Sequence, residues 1–365
     1  MGKNSVLLVI DSLANGGAQK QLSILASSLS KNNLNVYVAF YKNHSLYFED
    51  SISTSGGHCL PFVQREGGSR WEFVSFLRSI IKTNNIVTIV SFLDTPAIYC
   101  ALALVGRLDK KFIVCKRNYS KYKNTSFVGS FLDRFAIFMA SKVVANSYAE
   151  TNFLTNSFYC TQKKIVTIWN GFEPHGVSVN SSAAKFKKVL VVARVTEQKN
   201  VLSTIKAIAR LNEHKDTAVE LHWAGRFDCS QDYEDKINDI LKSTQLGDGW
   251  RWLGQVDDIS SLYSEYDALL LPSLFEGLPN ALCEAMSAGL PVITTDVCDN
   301  SRLIGDGERG VLAWGTDEES IAAALIHFYK LTNQERKTMV INAKNFVSEK
   351  LSVQEMTRAY TRLIK

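Results

Sequence analysis

Residues 267–296 read DALLLPSLFEGLPNALCEAMSAGLPVITTD. The first five residues and the run 291–295 are short and apolar, as expected of buried strands. Between them, Pro279 suits the start of a helix and Gly289 suits its end, so a short helix is predicted. A strand, a helix and a second strand in this order predict a βαβ unit, whose two strands are parallel.

The same alternation of short apolar runs and amphipathic segments extends along the whole chain. The strand-like runs are 5–10, 35–40, 86–92, 112–115, 142–146, 165–169, 188–193, 219–224, 250–253, 267–271 and 291–295. The helix candidates include 18–31, 70–82, 201–212, 231–242, 258–265, 280–288 and 317–330, and the segment 333–364 also looks helical. Because the strand-like runs lack polar alternation, they predict parallel strands buried on both faces. We therefore predict an α/β protein with two doubly wound parallel sheets facing a central cleft.

Domain organisation follows from length and from one break in the pattern. A chain of 365 residues favours two domains over one. The break is rich in Gly, Ser, Asn and Pro, which predicts a linker. We expect a first domain at 1–172, a linker at 173–187, a second domain at 188–345, and a terminal helix at 346–365 that packs back on the first domain.

Composition excludes several classes of protein. The net charge of +5 does not by itself indicate a nucleic-acid partner. The apolar start is interrupted by Asp11, so a signal peptide is not expected, and no stretch reaches the ~18 apolar residues of a membrane-spanning helix. The seven cysteines are scattered without a CxxC pair, which disfavours a metal site or a disulfide framework and fits reduced cytosolic thiols.

A glycine pair follows the first predicted strand, in LANGGAQKQLSILASSL. Gly16 and Gly17 allow a tight turn before a helix, whose free amides attract anions. The alternative is a plain turn between a strand and a helix. The GxGxxG pattern of dinucleotide-binding proteins is absent, which disfavours NAD.

Two cations stand where the first strand of the second half meets its helix. Arg194 ends the strand and Lys199 directly precedes the helix. A helix dipole disfavours cations at this end, so their position suggests that a pyrophosphate binds there. Two solvated surface cations are the alternative.

Two glutamates lie in the quoted stretch. Glu276 occupies a Gly/Pro turn, and Glu284 lies among small and apolar residues of the predicted helix. An unpaired buried carboxylate is costly, and a ligand hydroxyl would supply a donor to Glu284. Alternatively, Glu284 points to solvent.

These features together resemble glycosyltransferase family 4, which has the GT-B fold. The two glutamates, separated by seven residues, are similar to the Glu-x7-Glu motif of that family. The glycine pair, Arg194, Lys199, the linker start Asn170-Gly171 and the stretches WAG (223–225), LGQV (253–256) and DGERGVL (306–312) also fit in order. The resemblance spans nearly the whole chain and is most specific in 188–315.

The resemblance implies a role for each matching residue. Glu276 would contact hydroxyls of the donor sugar, Glu284 would bind the ribose of the nucleotide, and Arg194 with Lys199 would neutralise the departing diphosphate. The other donor-binding candidates are Gly16, Gly17, Gly225 and the backbone amides of Gly277, Leu278 and Asn280. The resemblance further implies that the anomeric configuration is retained and that no cofactor or metal is needed. It also implies a UDP-sugar donor, the most frequent case in the family. In the usual proposal for the family, a leaving phosphate oxygen deprotonates the acceptor. Asp257-Asp258 is better explained as a helix cap than as part of a metal-binding motif.

The sequence departs from the family pattern at several positions. Asn200 stands where many members have Gly, and Gln19 where many have an acidic residue. The region SFLDTP lacks the histidine that is common there in the family. Asp94, which lies in this region, would either take part near the acceptor or only cap the next helix. Arg117 resembles the Arg-Asn of surface-polysaccharide members and is expected to contact the acceptor or the donor phosphate, as a further catalytic candidate.

A basic, aromatic region covers residues 101–145, where nine basic residues face two acidic ones. Such a mixture suits anionic headgroups at a membrane surface or a lipid-diphosphate acceptor. A solvated basic face and a site for single-stranded nucleic acid remain as alternatives.

The expected function is therefore a retaining glycosyltransferase. It would move a hexose or N-acetylhexosamine from a UDP-sugar to a growing glycan linked to polyprenyl diphosphate, in surface-polysaccharide synthesis. We expect it in the cytoplasm, peripherally at the inner face of the cytoplasmic membrane. An epimerase or phosphorylase of the same fold and a non-catalytic nucleotide-sugar-binding module are the alternatives.

Overall fold

The computed structural model describes residues 5–43, 45–64, 71–107, 109–122, 126–157, 160–174, 186–213, 219–244 and 246–365. The chain divides into two compact units, of which the first combines Met1–Gly171 with Leu351–Lys365 and the second is Phe172–Lys350. Within the linker predicted at 173–187, residues 175–185 lie outside the described residues.

The first unit contains a sheet of seven parallel strands in the order β3-β2-β1-β4-β5-β6-β7. The strands are β1 Ser5–Val9, β2 Asn35–Phe40, β3 His58–Pro61, β4 Thr88–Phe92, β5 Lys111–Lys116, β6 Lys142–Ala145 and β7 Ile165–Thr167. The helices before the second unit are α1 Gly17–Lys31, α2 Glu49–Thr54, α3 Trp71–Thr83, α4 Asp94–Leu104, α5 Phe127–Met139 and α6 Tyr148–Asn156. The strand order reverses at β1 and β4.

Both faces of this sheet are buried. Leu7 and Val9 of β1 pack in the apolar core that holds α3 and α4, whereas Val6 and Leu8 pack in the core on the other face with α1. Successive side chains of a strand point to opposite faces, so a strand between two cores needs apolar residues at every position. This explains the continuous apolar runs of the sequence and confirms the prediction of a parallel sheet.

The second unit repeats this plan with six parallel strands in the order β10-β9-β8-β11-β12-β13. The strands are β8 Lys188–Val192, β9 Glu220–Ala224, β10 Trp250–Gly254, β11 Ala268–Leu271, β12 Val292–Thr295 and β13 Val311–Ala313. The helices are α7 Val201–Asn212, α8 Gln231–Thr244, α9 Ile259–Leu262, α10 Asn280–Ala288, α11 Asn300–Ile304, α12 Glu318–Lys330 and α13 Asn333–Lys350. The quoted stretch is confirmed as strand, helix and strand: β11, α10 and β12, with Gly289 in the left-handed conformation after α10 (φ 82°).

The predicted helical segment 333–364 is two helices. After α13, Ser352 adopts an extended conformation and its side chain accepts a hydrogen bond from the amide of Glu355, which starts a new helix, α14 Val353–Ile364. α14 belongs to the first unit, where the hydroxyl of Thr357 lies 2.9 Å from that of Ser28 on α1. A side-chain cap after an extended residue interrupts a helix and starts another, which periodicity alone does not reveal.

Two further predictions need correction. The helix expected at 258–265 ends at Leu262, because the next hydrogen bond, from the amide of Glu265 to the carbonyl of Leu262, closes a tighter turn. Its cap is as predicted, since Asp258 accepts from the amides of the helix start. Strands β3 and β13 lie outside the predicted strands, because both are short edge strands, of four and three residues.

All seven cysteines are free thiols. Among the described residues, no helix combines the length and apolar character that a membrane crossing requires.

Candidate active site

The candidate site lies at the carboxyl edge of the second sheet, where the strand order reverses. Strand β8 pairs with β9 on one side and with β11 on the other. Loops that leave the neighbouring strands of such a reversal diverge and open a crevice for ligands. Here those loops are 193–200 and 272–279, which contain Arg194, Lys199 and Glu276.

Glu276 and Lys199 form an ion pair at this edge. The Lys199 ammonium contacts Oε1 of Glu276, and the hydroxyl of Ser273 donates to the same oxygen at 2.7 Å. The side chain of Glu276 is 9% exposed and that of Lys199 16%, so the pair is largely but not fully covered. Among the described residues, both side-chain contacts of Glu276 go to Oε1. Oε2 therefore keeps its capacity to accept hydrogen bonds from a ligand.

The backbone of Glu276 is held as well. Its amide donates to the Sγ atom of Cys298, 3.4 Å away in the loop after β12. The hydroxyl of Thr295 donates to the carbonyl of Ser273 at 2.6 Å. The loop that carries the carboxylate is therefore fixed by the end of the neighbouring strand β12, which limits the positions that the carboxylate can take.

Asn200 fixes the position of Lys199. This residue has φ 57°, in the left-handed region, between a short 3-10 turn and α7. Its side-chain amide donates to the carbonyl of Pro272 at 3.1 Å and to that of Thr316 at 2.6 Å. Glycine and asparagine are the residues that most readily adopt this conformation. Asparagine thus replaces the glycine of many family members without loss of the turn, and it adds a tie between three loops.

A second tie runs between the loops after β8 and β11. The amide of Leu274 donates to the carbonyl of Gln198, and the side chain of Gln198 donates to the carbonyl of Phe275, both at 2.8 Å. These bonds bring Lys199 and Glu276 together although 77 positions separate them.

Glu284 lies on α10 and is half-buried. The hydroxyl of Tyr263, a residue 1% exposed, lies 3.4 Å from Oε2 of Glu284 and donates to it. Burial, together with the adjacent Glu284 carboxylate, raises the pKa of Tyr263 well above its ordinary value, so this hydroxyl keeps its proton. The sequence pointed to a ligand hydroxyl as the donor that Glu284 needs; the protein itself supplies one through Tyr263.

The start of α10 presents backbone amides beside Glu276. Pro279 occupies the N-cap position, one residue before the helical position that the sequence suggested, and its side chain caps no amide. The first amides of a helix have no intrahelical acceptor and attract anions. The amides of Gly277, Leu278 and Asn280, which are the predicted donor-binding amides, belong to this segment. They directly follow Glu276, the partner of Lys199, along the chain.

Arg194 and Gly225 lie at the carboxyl ends of β8 and β9. Arg194 forms an ion pair with Asp228, and both side chains are well exposed, at 56% and 43%. Gly225 approaches the neighbouring strand so closely that a Cβ atom at this position would lie 1.9 Å from the carbonyl oxygen of Ala193. Glycine is therefore required here by packing of the backbone.

Gly16 and Gly17, the other predicted loop, lie in the first unit. Gly16 is the N-cap of α1 in an extended conformation, and Gly17 is the first helical residue. The side chain of Gln19 donates to Asp11 at 3.0 Å. The side chain of Gln19 thus closes the turn after β1.

A buried lysine dominates the carboxyl edge of the first sheet. Lys116 is 1% exposed, and its ammonium lies 2.6 Å from both Asp94 and Asp133. Asp94 is the first residue of α4, and the N-cap position belongs to Leu93. Asp94 thus pairs with a cation and stands in the first turn of α4, one residue after the N-cap.

Arg117 is also buried, at 8% exposure. It donates to Asn170 at 2.6 Å, stacks over the ring of Phe92 at 4.2 Å, and lies 3.5 Å from the hydroxyl of Tyr360 on α14. These contacts join the end of β5 to Asn170, three residues before the predicted linker, and to α14. Arg117 thus ties elements of the first unit together, and its contact with a substrate stays a prediction.

The basic region at 101–145 is correspondingly less cationic at its surface than the sequence indicates. Lys116 and Arg117 are buried with their partners, and Asp133 is buried with them. Lys123, another of the nine cations, lies outside the described residues.

Residues 178–346 match the family described as Glycosyl transferases group 1. The chain is a glycosyltransferase, and its second unit is similar to group 1. A Campylobacter jejuni relative, GalNAc-alpha-(1->4)-GalNAc-alpha-(1->3)-diNAcBac-PP-undecaprenol alpha-1,4-N-acetyl-D-galactosaminyltransferase, is 26% identical over 93% of this chain and 92% of its own. An Escherichia coli relative, UDP-Gal:alpha-D-GlcNAc-diphosphoundecaprenol alpha-1,3-galactosyltransferase, is 26% identical over 62% of each chain.

Solved structures carry the same fold. The crystal structure of Anabaena HepE in complex with UDP-glucose covers 98% of this glycosyltransferase and 98% of its own chain, with a TM-score of 0.84 at 18% identity. The predicted GT-B fold is thereby confirmed.

Several residues of the glycosyltransferase site could not be identified from the sequence. Ser273 lies three positions before Glu276, but nothing in the sequence indicates that it bonds this carboxylate. Asn200 stands where many members of the family have glycine, and this difference is the signal that the sequence offers for its role. Tyr263 gave none, since a tyrosine in an amphipathic segment is ordinary.

Proposed function

We propose that this glycosyltransferase moves a hexose or N-acetylhexosamine from a UDP-sugar to a growing glycan on polyprenyl diphosphate, with retention of configuration, in surface-polysaccharide synthesis. The observation that carries the donor side is the pairing of Lys199 with Glu276 at the reversal of the second sheet. The named acceptors of the C. jejuni and E. coli relatives are linked to undecaprenol through a diphosphate, and the E. coli donor is a UDP-sugar.

In this proposal the anionic donor binds between the cations and the start of α10. The diphosphate approaches Lys199 and the amides of Gly277 and Leu278, while Arg194 exchanges its exposed partner Asp228 for a phosphate oxygen. Exposed ion pairs contribute only about 0–1 kcal/mol, so the exchange costs little. Oε2 of Glu276 accepts from sugar hydroxyls, and Glu284, oriented by Tyr263, accepts from the ribose.

The chemical step then needs neither a metal ion nor a protein base. The bond between the anomeric carbon and the β-phosphate oxygen breaks, the acceptor oxygen bonds to the same face of that carbon, and the acceptor proton passes to the departing phosphate. Fixed cations and helix amides aimed at a developing charge stabilise such a transition state. On the acceptor side, Asp94, held by Lys116, accepts a hydrogen bond from the acceptor in this proposal. The enzyme works peripherally at the inner face of the cytoplasmic membrane.

A substrate panel tests this proposal. Purified protein is incubated with UDP-sugars, and separately with GDP- and TDP-sugars, in detergent with a lipid-linked acceptor extract, with and without EDTA. We expect a product one hexose or N-acetylhexosamine heavier than the acceptor, formed from a UDP-sugar and unaffected by EDTA, with the donor's anomeric configuration in its NMR spectrum. An inverted product, a metal requirement, or nucleotide consumption without a glycan product would contradict it.

A further inference from the structure

The outer side of α5 is apolar. Phe127 is 89% exposed, Phe131 64% and Phe138 76%. They are separated by four and seven residues, so they lie on one side of the helix. Three large aromatic side chains in one exposed stripe are more than the scattered apolar residues expected of a protein surface.

The opposite side of α5 faces the protein. Asp133, Ala136 and Ile137 are buried there, and α5 packs against α4. The helix therefore has its own inner contact, and the outer phenylalanines lie outside it. Burying them against a partner surface would be favourable, because it removes apolar area from water.

The cations around this stripe indicate what the partner is. Arg134 is exposed within it. At one end, the Lys164 ammonium donates to the carbonyl of Phe138 at 2.7 Å and lies 5.9 Å from its ring. Along the chain, Lys121 and Tyr122 precede α5, and the Lys121 ammonium lies 5.5 Å from the exposed ring of Tyr122.

The helix α5 itself carries a single acidic residue. Between residues 126 and 142 the sequence contains one acid, Asp133, and it is buried with Lys116. An apolar stripe flanked by cations matches the interface of an anionic bilayer, where phenylalanine enters the acyl boundary and lysine meets phosphate headgroups. A second copy of the chain, paired symmetrically through this face, would instead bring like charges together.

The helix is also tied to the acceptor side of the first unit. Lys116 binds Asp133 on the inner side of α5 and, through the same ammonium, Asp94 at the start of α4. A buried and paired charge is a rigid connection, because separating its partners leaves an uncompensated charge. The orientation of α5 thus sets the orientation of the edge that carries Asp94.

We infer that α5 is the membrane-docking element: it lies in the headgroup region of an anionic bilayer with Phe127, Phe131 and Phe138 inserted. This inference rests on the proposed function, since a lipid-linked acceptor has to be reached at the bilayer surface. Docking through α5 delivers the polyprenyl diphosphate to the edge that carries Asp94.

Co-sedimentation with phosphatidylglycerol and phosphatidylcholine vesicles tests the inference. We expect the wild type to bind the anionic vesicles preferentially and the triple variant F127S/F131S/F138S to lose at least about tenfold in partitioning, since its apolar side is removed. Trp71→Ser is the matched control, because Trp71 is a 65% exposed aromatic residue on another helix of the same unit; it should bind as the wild type does.

Transfer assays separate docking from catalysis. The triple variant should lose transfer to an acceptor embedded in vesicles and stay within about twofold of the wild type in detergent micelles, where no bilayer has to be found. Binding of the triple variant equal to that of the wild type would overturn the inference. So would a wild-type dimer that the triple variant disrupts without any binding of vesicles. Absence of transfer in detergent by the wild type would instead count against the proposed function, whatever the vesicles show.

Discussion

Each unit places a lysine against carboxylates at the carboxyl edge of its sheet, but the two clusters differ in burial. Lys116 in the first unit is 1% exposed and holds two aspartates. Lys199 in the second has a side chain 16% exposed and holds one glutamate, Glu276. The first cluster is closed around its ammonium, although the side chain of Asp94 is 20% exposed, whereas the ammonium of the second cluster is within reach of a ligand.

The charge state of Lys116 supports this contrast. Burial acts to lower the pKa of its ammonium, but the carboxylates of Asp94 and Asp133 more than offset burial, and the pKa is raised above the ordinary value. The lysine is therefore charged at every physiological pH. A permanently charged, enclosed lysine serves the architecture of the first unit, while the half-open pair of the second unit can exchange partners with a substrate.

The largest effect on stability is expected from Lys116→Met. This change leaves Asp94 and Asp133 without their cation, and breaking a buried pair in this way costs about 3–5 kcal/mol. Denaturant unfolding of the purified variant gives the value. Lys199→Met is the matched substitution in the other unit and should lose clearly less. Equal losses for the two variants would remove the distinction between a closed and an open cluster.

Lys199→Met should show its effect in catalysis. Removing one fixed group that stabilises the departing diphosphate lowers kcat by about 100- to 1000-fold. Steady-state kinetics in detergent, at a temperature where denaturation curves show the variant folded, measures this loss. Near-normal kcat in a folded variant would mean that the cation serves the structure alone.

Most of the fold could be predicted from the sequence because most of the buried strands are continuous apolar runs, which can be recognised locally. Every strand predicted in the second unit lies within two residues of its observed bounds. Strand β3 could not be predicted, since it is a short edge strand without a continuous apolar run. The break at Ser352 depends on one side-chain cap, which a helical periodicity conceals.

The candidate site could be predicted only in part. The residue types and their spacing identified Lys199, Glu276 and Glu284 as important. Their contacts could not be predicted, because Lys199 reaches Glu276 across 77 positions and Tyr263 reaches Glu284 across 21, through the pairing of separate strands and loops.

Asn200 offers a test of the loop that positions Lys199. Asn200→Ala should cost about 2–4 kcal/mol, since alanine resists the left-handed conformation and also loses both side-chain hydrogen bonds. Asn200→Gly keeps the conformation and loses only the bonds, so about 1–2 kcal/mol is expected. Thermal and denaturant unfolding compare the two variants. An alanine variant as stable as the glycine variant would show that the conformation contributes nothing.

The smallest effect is expected from Asp228→Asn. Its ion pair with Arg194 is well exposed on both sides, so stability should change by less than about 0.5 kcal/mol. Release of Arg194 should leave the KM for the donor unchanged or lower it. A KM raised severalfold would instead assign Asp228 a direct part in donor binding, and steady-state titration with the donor distinguishes these results.

The central claim is that Glu276, held by Lys199 and Ser273, acts on the donor sugar at the second sheet. The most direct measurement compares Glu276→Ala with the wild type in transfer rate and in affinity for UDP, with Glu308→Ala, an exposed glutamate of the same unit, as the control. We predict that Glu276→Ala abolishes transfer and still binds UDP, while the control resembles the wild type in both. Transfer by Glu276→Ala at the wild-type rate would contradict the assignment of the site.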